Sequence, residues 1–483
     1  MKKNLLLPSE KGTVVPKKMK IIDYWKSVRL PILAFLAALL AGAVLIVLTD
    51  LKFYALFKKT FSQISTTQVI IAITSIALIA LSVWLGVSKW VKNLLEKKGV
   101  TKRLSVSLRV FTPIIGFIIS IFLLRLSGFS DIIDAALNIT YISYHSLLEG
   151  SLGNIVDIMA AFHSGNIQQI TESLNPISES LVAAAPYIFG GLSVAVALRC
   201  GIFNIGTEGQ IFMGALASVI VGYSIKGLPP LIHIPLAMLA GALAGAFWAF
   251  IPAILKTKFG SNEVINTIML NYIAFSLVDF LLTGPIRRPD QSIPFSPYIE
   301  ISAELPRLLP YPSRFHIGFL IAVGIAILIY WFLFRTPAGL EIRLVGQNPN
   351  ASRYAGINIK NKYLLAFLIS GAMGGLAGAN EVLGVSHYLS GTISPGYGFD
   401  SISLAILGNN HPIGVIFTAL LFGILRNGST HMQNIARVPV EIITVVQSLV
   451  IVFIAAPTII QTLFRLKGKG KSEQIIVTRG WGK

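Results

Sequence analysis

A succession of apolar stretches, each long enough to cross a bilayer, limits what this chain can become. They run at Leu30–Thr49, Val69–Val87, Val110–Leu126, Leu181–Leu198, Leu231–Leu255, Val264–Leu282, Ile317–Phe334, Tyr363–Leu383 and Val440–Ile460. Two more, Ile211–Tyr223 and Ile402–Leu425, are shorter or interrupted. About 17 to 25 apolar residues wound as a helix match the hydrocarbon core of a membrane. The expected fold class is therefore an all-α polytopic membrane protein. Composition agrees: 13% of residues are charged, where a soluble domain carries about 25%.

A formal charge of +19 raises nucleic acid as a partner, but the Lys and Arg residues gather beside the apolar runs and not on a basic, aromatic-studded soluble face. They read as orientation signals, and no nucleic-acid partner is expected. Clusters at 1–29, 88–109, 335–362 and 461–483, with Lys256 and Lys258, belong on the cytoplasmic side of a cell membrane. Both termini then lie inside, which requires an even number of crossings, about ten. In "LAILGNNHPIGVIF" the residues Gly408, Asn409, Asn410 and Pro412 interrupt the apolar run, so this segment is expected as a re-entrant pair entering from outside. No cleavable signal is expected, since the first run follows a basic tail and no small-residue cleavage site follows it. The organisation expected is an appended basic tail and transmembrane hairpin at 1–108, a transmembrane body at 109–462 and a basic cytoplasmic tail at 463–483. Asp131–Ser180 and Gly284–His316 are too polar for lipid and are expected outside, as connections or as a docking surface.

The chemistry sits in two polar interruptions. Irregular backbone at membrane depth is tolerated only where protein or a wet cavity surrounds it. In "RCGIFNIGTEGQIFMGA", Gly201, Gly206 and Gly209 permit such backbone, while Asn204, Glu208 and Gln210 supply donors and acceptors. A second interruption, "SPGYGFDSISLAILGNN", repeats the plan of glycines, aromatics and an acid. Paired breaks in two halves point to a transport path. Phe203, Tyr397 and Phe399 are candidates for faces that a ring slides past, and Asn204, Gln210, Asn271 and Asp400 for hydrogen-bond exchange. Gly206, Glu208, Gly209, Asn409 and Asn410 are assigned to holding the breaks. In "SNEVINTIMLNYIAF", Glu263, Asn266, Thr267 and Asn271 fall on one helical face. Gly371, Gly374, Gly375 and Gly378 form another such face, and Gly241 and Gly245 a third; these allow close helix packing.

Enzymatic chemistry finds no support. Cys200 is the single cysteine, and no metal-spaced His or Cys cluster, nucleophile elbow or paired catalytic acid is present. The tail "FRLKGKGKSEQ" imitates the end of a phosphate-binding loop at Gly470, Lys471 and Ser472, but Arg465 stands where the first glycine is required. No catalytic residue, metal or cofactor is expected.

Four stretches, "GIFNIGTEGQIFMGA", "NEVINTIMLNYIA", "GLEIRLVGQNPNASRYAGI" and "ISGAMGGLAGANEVLG", together resemble the permease subunits of bacterial ABC importers for purine and other nucleosides. These belong to the branched-chain amino acid, ribose and nucleoside permease superfamily. The resemblance covers roughly residues 109 to 462. It implies a type II importer permease fold of two inverted halves, with about ten transmembrane helices plus the re-entrant pair. It also implies cytoplasmic ATP-binding subunits that hold the ATPase activity, a second permease subunit, and an external substrate-binding lipoprotein that delivers the nucleoside. On the same resemblance, Glu341, Arg343, Gly346, Asn348, Arg353, Tyr354 and Gly356 lie in the segment that couples to the ATPase. The first hundred residues and the long segment near 131–178 depart from the common permease. A simple-sugar permease of the ribose type and an ion-coupled secondary transporter are the alternative readings.

Overall fold

The computed structural model of the protein describes residues 36–62, 65–87, 115–116, 118–289 and 293–455. The basic clusters at 1–29, 88–109 and 461–483, the Gly470–Ser472 imitation and the expected boundaries near 108 and 462 all lie outside the described residues. So do parts of the runs at Leu30–Thr49 and Val110–Leu126. Helices account for nearly all of what remains. They are α1 Leu36–Thr49, α2 Leu51–Ser62, α3 Thr66–Val87, α4 Ser130–Leu152, α5 Ile155–Ser164, α6 Ile167–Arg199, α7 Thr207–Ser224, α8 Pro230–Phe259 and α9 Glu263–Thr283. After a long loop come α10 Gly318–Arg335, α11 Pro337–Gln347, α12 Pro349–Tyr354, α13 Ile359–Glu381, α14 Tyr397–Leu407, α15 Pro412–Ala436 and α16 Val440–Ala455. Among the described residues, six helices are long and apolar enough to cross a membrane: α6, α8, α9, α10, α13 with its short extension, and α15.

Burial ranks these spans. The apolar windows of α6 and α13 are 83% and 67% buried, those of α9 and α10 only 28%. The first pair forms the interior and the second pair faces outward. Small residues make the interior possible. The glycine faces of α8 and α13 meet each other: Gly245 lies against the Gly371 carbonyl and Gly375, and Gly375 against the Gly241 carbonyl. Gly378 sits on the Ile211 carbonyl of α7. A Cβ at Gly245, Gly371, Gly375 or Gly378 would collide with backbone, so two stripes visible in the sequence form one three-helix contact.

Polar residues set the helix ends. Asn262 accepts the Val264 N–H at the start of α9, 2.9 Å; Thr336 accepts Gly339 N–H before α11, 3.1 Å. Asn348 and Asn358 do the same for α12 and α13, at 3.1 and 3.2 Å. Each takes one of the amides that a helix start leaves without an internal acceptor.

Two segments differ from expectation. Asp131–Ser180 is helical and not an irregular connection: it forms α4, α5 and the opening turns of α6. α4 packs on α15, with Gly428 against the Leu147 carbonyl and the Asn427 amide donating to the Gly150 carbonyl, 3.0 Å. Its Ser143 and Ser146 donate to carbonyls one turn back, Ile139 and Ile142, both 2.7 Å. A hydroxyl satisfied within its own helix can be buried. The interruption at Gly408–His411 is present, but only its first limb, α14, is short; α15 continues for 25 residues. The loop at 284–316 is irregular as expected, yet held down. Ile299 and Leu305 N–H groups donate to the His387 and Leu383 carbonyls, 3.0 and 2.8 Å. His316 is fully buried within it, which pushes its imidazole pKa down to about 4.

Candidate functional site

The first break follows the end of α6. Gly201, with φ +77, turns the chain where its nearest neighbour is Gly346, a left-handed conformation that glycine adopts at low cost. The chain then climbs through Phe203 and Asn204 to the start of α7. Asn204 is the hub. Its Nδ2 donates to Ser370 Oγ of α13, 2.8 Å, and to Gln210 Oε1, 3.2 Å, while its Oδ1 accepts the Gly206 N–H, 2.9 Å. Ser370 continues to Ser193 of α6, 3.0 Å, and Ser193 to Thr207, 3.2 Å. From α9, Asn271 clamps the backbone on both sides, accepting Gly209 N–H at 2.8 Å and donating to the Ile205 carbonyl at 3.0 Å. Thr267 Oγ1 accepts the Ile205 N–H, 3.3 Å. Asn204, Gln210 and Asn271 are each 1% exposed. The expected face of α9 thus divides: Thr267 and Asn271 reach the break, whereas Glu263 pairs with Lys256 at 2.6 Å and Asn266 with Ser261 at 2.9 Å.

The second break opens α14. Its first two amides find acceptors outside the helix: Tyr397 N–H donates to Ser394 Oγ, 3.1 Å, and Gly398 N–H to Glu208 Oε2 on α7, 2.5 Å. Glu208, 2% exposed, therefore belongs to both breaks. A carboxylate there also complements the positive end of the helix dipole. Tyr187 of α6 donates its hydroxyl to Asp400 Oδ2, 2.9 Å, and meets Tyr397 edge to face at 4.9 Å between ring centroids. Phe399 is 46% exposed and Phe203 half-buried, so each has ring surface uncovered by this chain.

Asn409 and Asn410 are not part of this group. They lie beyond the far end of α14, both left-handed with φ +56 and +51. Their carbonyls accept Arg199 at the end of α6, Nη2 to Asn409 at 3.1 Å and Nε to Asn410 at 2.8 Å. The short helix thus has an anion at its amino end and a cation at its carboxyl end, both from segments that flank the first break.

The segment Glu341–Gly356 is a helical hairpin, α11 and α12, seated beside that same Arg199. Gly346 lies against the Arg199 carbonyl. Arg343 Nε donates to the Leu333 carbonyl at the end of α10, 2.9 Å, and its guanidinium stands over the Phe334 ring at 4.9 Å. Glu341 pairs with Lys362 of α13. Asn348 forms the turn. Arg353, Tyr354 and Gly356 project outward, Tyr354 with 93% of its surface exposed. Among the described residues no group of three His, Cys, Asp or Glu is placed to hold a metal.

The family described as the permease component of the branched-chain amino acid transport system matches residues 177–455. The chain belongs to this permease family. It is 39% identical to a guanosine ABC transporter permease protein of Bacillus subtilis over 61% of this chain and 85% of the relative. It is 38% identical to a nucleoside ABC transporter permease protein of Lactococcus lactis, covering 60% and 82%, and 35% identical to a glucose ABC transporter permease protein of Haloferax volcanii, covering 62% and 80%. No solved structure matches.

Several residues of this permease site had no separate signal in the sequence. Ser193, Ser370 and Thr207 connect three helices through hydroxyls alone, and a small hydroxyl beside a glycine stripe, as in "ISGAMGG", is the only trace. Arg199 carries no separate signal either, since its two carbonyl contacts depend on residues 210 and 211 positions away.

Proposed function

We propose that the protein is one membrane-spanning permease subunit of an ATP-driven importer, and that its cargo is a nucleoside. The observation that carries this is the α11–α12 hairpin: an exposed, charged surface that is packed directly on the end of α6, where the broken helices begin. ATP-binding subunits on separate chains dock on Arg353 and Tyr354, a second permease completes the path, and an external binding lipoprotein delivers substrate. Lys256, Lys362, Arg199 and Arg343 gather at the hairpin end of the bundle, which favours that end as cytoplasmic. The terminal segments, basic in sequence, go to the same side.

The path runs along the uncovered aromatic faces. Phe203 and Phe399 offer rings to a base, and base stacking contributes roughly 1 to 3 kcal/mol without fixing which base is present. Asp400 and Tyr397 stand beside Phe399 to exchange hydrogen bonds with base or ribose. Asn204, Gln210 and Asn271 have their polar atoms engaged with protein in this conformation, and we assign them to fixing the break. The relatives' names favour nucleosides; the glucose relative at 35% identity keeps a simple sugar as the second reading. Uptake of labelled guanosine, cytidine and ribose by proteoliposomes holding the full assembly tests both. ATP-dependent guanosine accumulation is expected. Ribose accumulation without nucleoside uptake would transfer the assignment to sugars, and uptake without ATP on an ion gradient would overturn the importer.

A further inference from the structure

The hairpin and the second break are far apart in sequence but share one side chain. The Arg199 guanidinium holds the Asn409 and Asn410 carbonyls at 3.1 and 2.8 Å. Its own backbone carbonyl is covered by Gly346 of α11. The same guanidinium stands over Phe334 at 5.6 Å, and Arg343 of α11 stands over that ring at 4.9 Å. His411, the last residue of the turn, meets Phe334 and Tyr330 in tilted ring contacts with centroids at 5.1 and 5.4 Å. Hairpin, α6 end, α10 end and α14–α15 turn thus converge on Arg199 and Phe334.

We propose that Arg199 is the positioning residue through which the α11–α12 hairpin sets the place of α14. The proposal rests on the importer reading and names the joint it uses. Three features support it. Guanidinium is planar and presents two donors at fixed spacing, so it grips two successive carbonyls as a unit. Those carbonyls belong to a left-handed pair whose geometry leaves them at the end of a short helix, where a cation also complements the dipole. A displacement of α11 meets Arg199 through backbone on backbone at Gly346, with no flexible side chain between to absorb it. Movement of the hairpin is thereby carried to the carboxyl end of α14, while Glu208 holds its amino end against α7. The path residues Tyr397, Phe399 and Asp400 lie on the helix so clamped.

The test uses the complete assembly in proteoliposomes and reads nucleoside uptake and ATP hydrolysis in the same vesicles. Arg199→Gln should leave hydrolysis within about twofold while uptake per ATP falls roughly tenfold, within the range usual for loss of coupling between sites. Arg199→Lys keeps the charge without the two-pronged fork and should lose roughly threefold; it carries the test if the glutamine variant does not assemble. Gly346→Ala, which leaves Arg199 in place but forces α11 off its carbonyl, should uncouple in the same way. Variants that assemble with an unchanged ratio, or that lose uptake and hydrolysis in equal proportion, overturn the joint. Absence of ATP-driven uptake by the unsubstituted assembly overturns the importer reading, and the joint with it.

Discussion

The two breaks use the same ingredients and end in opposite conditions. Between α6 and α7, the polar atoms of Asn204, Gln210 and Asn271 are satisfied by the segment's own backbone, by the bond between Asn204 and Gln210, and by the Ser370 hydroxyl of α13. Around α14, the helix is held from outside itself, by Glu208 at one end, by Arg199 at the other and by Tyr187 on Asp400 between them. The first break is a closed network in which loss of any member leaves another buried group without a partner. The second is a short rod with a charged grip at each end and an aromatic, Phe399, uncovered along it. On the joint proposed above, the first break is expected to stay closed while α14 shifts with Arg199.

The largest effect should come from the residue both breaks share. Glu208→Ala leaves the Gly398 amide buried without its charged acceptor and should cost about 3 kcal/mol, seen as loss of assembled protein and a lower melting temperature. Glu208→Gln keeps an acceptor oxygen and should cost about 1 kcal/mol. Equal losses for both would mean the carboxylate does not cap α14.

Next in size, Asn204→Ala and Gln210→Ala should each destabilise by about 2 kcal/mol, since buried partners are stranded. The double variant should lose less than the sum by about 1 kcal/mol, the signature of side chains acting together. Strict additivity in thermal unfolding would break the network account. The smallest change is expected at the turn. Asn409→Gly and Asn410→Gly keep both carbonyls and fit the left-handed backbone, so stability should stay within about 0.5 kcal/mol of the parent and uptake should be unchanged. A large loss of uptake would show that these amides, and not their carbonyls, do the work at the second break.

Much of this was legible in the sequence because the membrane simplifies the reading. Length and hydropathy mark α6, α8, α9, α10 and α13, and glycine spacing marks the faces on which α8 and α13 meet; α15 is longer than the return limb that the interrupted run suggests. The rest needed three dimensions. Ser143 and Ser146 of α4 are buried, each bonded to its own helix. Glu208, Asn204 and Gln210 stood out as polar residues in an apolar setting, but no pattern tells that one carboxylate would cap a helix 190 residues away while the two amides would bond to each other. Arg199 looked like any basic residue at a helix end, since its partners are backbone carbonyls and carbonyls leave no mark in a sequence.

The claim that α14 shifts while the first break stays closed is tested most directly by thiol accessibility. In a Cys200→Ser background, single cysteines replace Asn204 and Phe399, and the assembled transporter is treated with a small water-soluble thiol reagent, nucleotide-free and ATP-bound. Position 399 should change its reaction rate roughly tenfold between the two states, as expected for a site whose surroundings are switched by a coupled ligand, and position 204 should stay unreactive in both. Reaction at 204 in either state, or an equal rate at 399 in both, would contradict the account.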